Sequence, residues 1–108
     1  ADGGEPDPEP EPVEVVHLDE AGQLAQNEWA HFTVNVVAGR AITVNTTAPN
    51  DIDLYTRMGS APSLSRYDHR PYTASGNETV TFVPTADGVL HVGVHGYAAS
   101  SFTLKTQD

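Results

Sequence analysis

The sequence predicts an all-β fold of antiparallel strands closed into a sandwich or barrel. Three observations carry that prediction. Apolar residues alternate with polar ones in short runs, turn-forming residues separate the runs at short intervals, and no segment shows a convincing apolar stripe of helical period.

The runs follow in order. Phe32, Val34 and Val36 share one side against Thr33 and Asn35. Ile42 and Val44 oppose Thr43 and Asn45, and Ile52, Leu54, Thr56 and Met58 oppose Asp53, Tyr55 and Arg57. Val80 and Phe82 oppose Thr79 and Thr81, Leu90, Val92 and Val94 oppose His91, Gly93 and His95, and Phe102 and Leu104 oppose Thr103 and Lys105. Side chains in a strand point alternately to the two faces, so each run reads as a half-buried strand. The breakers are Ala38-Gly39, Pro49-Asn50-Asp51, Gly59-Ser60-Ala61-Pro62, Ser75-Gly76-Asn77, residues 84–88 and Gly96. Only residues 19–28 are ambiguous, between one short helical turn and an irregular hairpin.

A length of 108 residues suits one domain with one modest core. The formal charge of -10 is concentrated at the start. Residues 1–20 carry eight acidic groups and neither Lys nor Arg, while the remainder is nearly balanced. In residues 1–12 (ADGGEPDPEPEP) Pro alternates with Asp or Glu, which predicts a stiff, extended, solvated linker before a folded unit at 13–108. No basic patch is present, which argues against nucleic acid as a partner. No apolar run reaches the length of a membrane span, which argues against a membrane partner. The absence of Cys removes disulfides, thiolate metal sites and cysteine nucleophiles together. Without a leader-like segment, the chain reads as a piece of a longer, processed protein.

Several residues could carry chemistry. Asp51 and Asp53 stand two apart at the start of a predicted strand, on the face opposite Ile52 and Leu54, and Asp68 lies in the following loop. With loop carbonyls, these three carboxylates could make a Ca²⁺ site, since that ion takes six to eight oxygens at roughly 2.4 Å. Turn capping by Asp51, with pairing of Asp53 or Asp68 to Arg57 or Arg70, explains the same residues without a metal. Trp29, Tyr55, Tyr67, Tyr72 and Tyr97 form the aromatic set. They read either as a surface that grips a polymer or as cross-strand packing, with Tyr72 and Tyr97 the better binding candidates because they adjoin loops. His91 and His95 share a strand face at a separation of about 13 Å, too far for one metal, and read as solvent-facing. No Ser lies in a nucleophile-elbow sequence, and adjacent Asp68 and His69 do not make an orienter-and-base pair, so no catalytic residue is assigned.

Taken together, the runs at 51–55 (DIDLY), 57–62 (RMGSAP), 67–72 (YDHRPY) and 77–79 (NET) resemble the bacterial pre-peptidase C-terminal domain. The flanks agree: residues 29–36 (WAHFTVNV) and 91–97 (HVGVHGY) look like two strands of that family. The resemblance spans residues 13–108. It implies a jelly-roll-like β-sandwich, a monomer without its own catalysis, attached in cis to the catalytic domain of a secreted, extracellular peptidase. It further implies an aid to binding insoluble protein or polysaccharide, or to secretion and maturation, with Ca²⁺ stabilisation as in the related collagen-binding modules of collagenases. A maturation domain without ligand, or an adhesin-type module of a non-peptidase, are the alternatives. One departure stands out. Where many members carry two Cys that look like a disulfide pair, this chain has His69 and Val80. A contribution of roughly 2–4 kcal/mol must then come from other contacts.

Overall fold

A computed structural model describes residues 14–71 and 75–108. Among these residues the secondary structure is β1 (Asp19–Leu24), β2 (Trp29–Val36), β3 (Ile42–Thr47), β4 (Ile52–Met58), β5 (Glu78–Phe82), β6 (Gly88–Gly96) and β7 (Ser100–Gln107), with no helix. Odd-numbered strands form one sheet in the order β1-β7-β3-β5, and even-numbered strands form the other in the order β2-β6-β4. All pairings are antiparallel. Each connection along the chain therefore crosses from one sheet to the other, the winding of a jelly roll.

The register follows the alternation read from the sequence. Val34, Val36, Ile52, Leu54, Leu90, Val92 and Val94 from the even sheet meet Leu24, Ile42, Val44, Val80, Phe102 and Leu104 from the odd one in a single buried core. Apolar burial of this kind contributes roughly 25 cal/mol per Å² removed from water and is the main force closing the sandwich. The ambiguous stretch at 19–28 resolves as a strand followed by a tight turn. Asn27 has a φ of 68° there, a conformation that Asn tolerates better than most residues, and its N–H donates to the carbonyl of Gly96 at 2.7 Å.

The outer edge of β4 lacks a full strand partner, and three different groups close it. One edge of β4 pairs with β6, and the N–H groups of Leu54, Thr56 and Met58 find partners on the other. Leu54 donates to the carboxylate of Glu78 on β5, Thr56 to the carbonyl of His69 at 2.9 Å, and Met58 to Asp68 Oδ2 at 2.8 Å. The segment around His69, which bridges antiparallel to Thr56, occupies the place of an eighth strand. An open edge invites pairing with other chains, and on this one the N–H groups of Leu54, Thr56 and Met58 are all taken.

Candidate functional site

The outward face of the three-stranded sheet gathers most of the aromatic set. Register places Trp29, His95 and Asp53 in one row and His31, Gly93 and Tyr55 in the next. Gly93 makes room for the indole: a Cβ there would lie 2.8 Å from the Trp29 ring and 2.9 Å from Pro62. Trp29 then reaches His31 (centroids 5.3 Å apart, stacked), Tyr55 (5.0 Å) and His95 (4.8 Å). Residues 59–71 fold over this face. Pro62 is buried against it, Tyr67 packs edge-on to Tyr55 at 5.4 Å, and the Arg70 guanidinium lies 5.3 Å from the Tyr55 ring centroid.

The consequence is a second packed layer. Tyr55 is 2% exposed and cannot offer its ring to a polymer. Trp29 and Tyr67 are half-buried within the same cluster. His95, read from alternation as solvent-facing, is buried at 6% exposure. Alternation gave its face correctly, but the covering segment changed what that face meets.

Asp53 sits within this layer. Its side chain is 8% exposed, with Oδ2 at 3.8 Å from Arg70 Nη2 and 4.0 Å from His95 Nδ1. Both distances exceed hydrogen-bond length, so burial dominates over attraction. Desolvation pushes the Asp53 carboxyl above its ordinary value, opposed by Arg70, reinforced by Asp51 and opposed again by His95. Burial also pushes the Tyr55 phenol up, with Arg70 acting against it.

The three carboxylates expected to share Ca²⁺ are dispersed in their roles. Asp68 accepts from Met58 at the far end of β4, and Asp53 faces Arg70 and His95. Asp51 holds the turn through its carbonyl, which accepts from Ala98 N at 3.0 Å. Among the described residues no group of three or more His, Cys, Asp or Glu is gathered to hold a metal. Besides desolvation, the Asp51 carboxylate raises the Asp53 carboxyl, and Asp51 Oδ1 is buried without a hydrogen-bond partner.

The residue that sequence reasoning missed is Glu78, 3% exposed. Its signal was present: it stands in phase with Val80 and Phe82, on the core side of β5. His69 and Val80, where the resemblance implies Cys, are both packed. The His69 ring lies 4.9 Å from Phe82, and Val80 is in the core.

Of the expected binding residues, Tyr72 lies outside the described residues. Tyr97 is the exposed one, at 64%. It stands on the β6–β7 turn, which is tied to the β3–β4 turn by Asn50 Nδ2 donating to the Ala99 carbonyl at 3.0 Å. It is also tied to the β1–β2 turn by Gly96 N donating to the Glu28 carbonyl at 2.9 Å. Three turns thus form one firm end of the sandwich, with an aromatic ring projecting from it.

Residues 30–96 match the family model of the bacterial pre-peptidase C-terminal domain. The chain is 38% identical over 106 residues to an alkaline serine exoprotease A of Vibrio alginolyticus, covering 90% of this chain and 19% of that protein. It is 34% identical over 85 residues to a virulence metalloprotease of Vibrio anguillarum (77% and 14%). It is 45% identical over 56 residues to xanthomonalisin of a Xanthomonas strain (51% and 7%). The chain spans less than a fifth of the length of each of these relatives. It corresponds to a non-catalytic part of such proteins and not to a protease domain. By this sequence match, the chain belongs to the bacterial pre-peptidase C-terminal domain family.

Proposed function

We propose that this domain works in cis with a peptidase catalytic domain outside the cell and holds that enzyme against an insoluble polymer, protein or polysaccharide. The observation that carries this reading is the company the domain keeps. It matches parts of a serine exoprotease and of a metalloprotease, two enzymes whose names imply different catalytic chemistry. A module common to both serves something other than bond cleavage. Tethering is such a service, because a second contact raises the effective concentration of substrate at the active site without altering the chemistry.

The rigid end carrying Tyr97 supports the reading. An exposed aromatic ring on a firm turn supplies contact area at little entropic cost. Incubating the domain with insoluble collagen, casein and chitin tests the proposal. Retention on one of them, reduced by Tyr97→Ala, is expected. Absence of retention on all three leaves a maturation domain without ligand.

A further inference from the structure

Beside the Tyr97 end, the outward face of the four-stranded sheet dips into an open cavity of about 700 Å³. That size falls within the range of roughly 300–1,000 Å³ typical of ligand clefts. Its floor is the seam between β1 and β7, where Gln23 pairs with Ser101 and Ala21 with Thr103. The small side chain of Ala21 leaves the depression open. Thr47, Ala48, Pro49 and Asn77 form the wall where β3 ends and β5 begins.

The lining has a definite chemistry. Its polar side chains are those of Gln23, Thr47, Asn77, Ser101 and Thr103, and none is ionisable, in a chain whose net charge is -10. Hydroxyl and amide groups both donate and accept, so they suit a neutral ligand that does the same. Ala48 and Pro49 add apolar surface beside them. A ligand with many hydroxyls and apolar C–H faces fits both halves of this surface.

An extended peptide fits it less well. Peptides are commonly gripped by main-chain pairing along an open strand edge. This cavity opens on a sheet face, over β7, whose main chain is already paired with β1 on one side and β3 on the other. The β7 main chain under the cavity is therefore not free to pair with a ligand, and the side chains above it make the hydrogen bonds there. Tyr97 stands four residues before Ser101, on the turn leading into the cavity's β7 floor. Asn50 N donates to Ser100 Oγ at 3.3 Å and helps fix that turn against the Pro49 wall.

We propose that this cavity is a subsite for a neutral polysaccharide. Gln23, Thr47, Asn77, Ser101 and Thr103 bind the hydroxyls of a sugar unit, and the Tyr97 ring offers a stacking face to the continuing chain. This rests on the tethering reading and narrows it to one class of polymer.

The test uses the domain with powdered chitin and cellulose for retention, chitohexaose and cellohexaose for titration, and insoluble collagen and casein as protein arms. Thr103→Arg places a bulky charge in the cavity from an exposed position, and Tyr97→Ala removes the ring. Thr81→Arg adds the same charge to the same sheet face away from the cavity and serves as control. Melting midpoints check that each variant is folded. The expected result is retention on a polysaccharide, with affinity for its hexasaccharide lowered at least tenfold by Thr103→Arg and by Tyr97→Ala and unchanged by Thr81→Arg. Equal binding by all variants overturns the assignment of the cavity. Retention on collagen or casein alone overturns the saccharide assignment while the tethering reading stands. Retention on nothing overturns both.

Discussion

The Glu78 carboxylate, at the start of β5 in one sheet, accepts the main-chain N–H of Leu54 on β4 in the other. The bond ties the two sheets together at an edge that has no strand partner. Glu78 is itself held in place by its own N–H, which donates to Thr46 Oγ1 at 3.2 Å. Replacing Glu78 with Ala leaves the Leu54 N–H buried and unsatisfied. A loss of about 1–3 kcal/mol in urea unfolding is expected, with Glu78→Gln recovering part of it because an amide oxygen can still accept. Equal losses for both variants would show that the charge, and not the hydrogen bond, matters.

Gly93 defines the packed layer over the three-stranded sheet. Gly93→Val drives a side chain into the Trp29 ring and Pro62, so the indole must move. Overpacking of this kind costs roughly 1–3 kcal/mol. The single Trp reports the change directly: its fluorescence is expected to shift to the red as residues 59–71 lift away. An unshifted spectrum in a folded variant would contradict the packing described.

Asp53 gives the domain a signed pH dependence. Its carboxyl is raised in the folded state, mainly by desolvation. The folded protein therefore holds this proton more tightly than the unfolded chain, whose Asp titrates near about 3.9. The stabilising contribution is fully present below that value and is lost as pH rises through the folded value. Asp53→Asn removes the dependence. Measured from pH 4 to 7, the stability of the variant is expected to gain on that of the wild type as pH rises. A parallel pair of curves would show that Arg70 and His95 fully offset the burial.

Much of this architecture was legible in the alternation, because a period of two depends only on local geometry. It placed Ile52 and Leu54, Val92 and Val94, and Phe102 and Leu104 on the core side, where they are. What it missed came from contacts between distant segments. Asp53, Tyr55 and His95 were read correctly as sharing an outward face, but burial of that face depends on residues 59–71 folding back. Residues 19–24 were ambiguous because Asp19, Glu20 and Gly22 break the apolar rhythm, and register with β7 is what makes them a strand. Glu78 was overlooked because a carboxylate in phase with core residues has meaning only once the Leu54 N–H is seen opposite it.

The dispersal of Asp51, Asp53 and Asp68 bears on calcium. An ion that binds only the folded state raises the melting midpoint. With Asp68 engaged by Met58 and Asp53 facing Arg70, the midpoint is expected to be the same in chelator and in millimolar Ca²⁺. A rise of several degrees would show that an ion binds the folded domain and would contradict this expectation.

A tether acts through the protease domain proposed to be joined to it, and that joined protein is the one to measure. Its cleavage rates with and without the domain are compared on a soluble peptide and on an insoluble polymer-bound protein. Equal rates are expected on the soluble peptide, with a loss of at least severalfold on the insoluble substrate when the domain is removed. Equal rates on both substrates would contradict it.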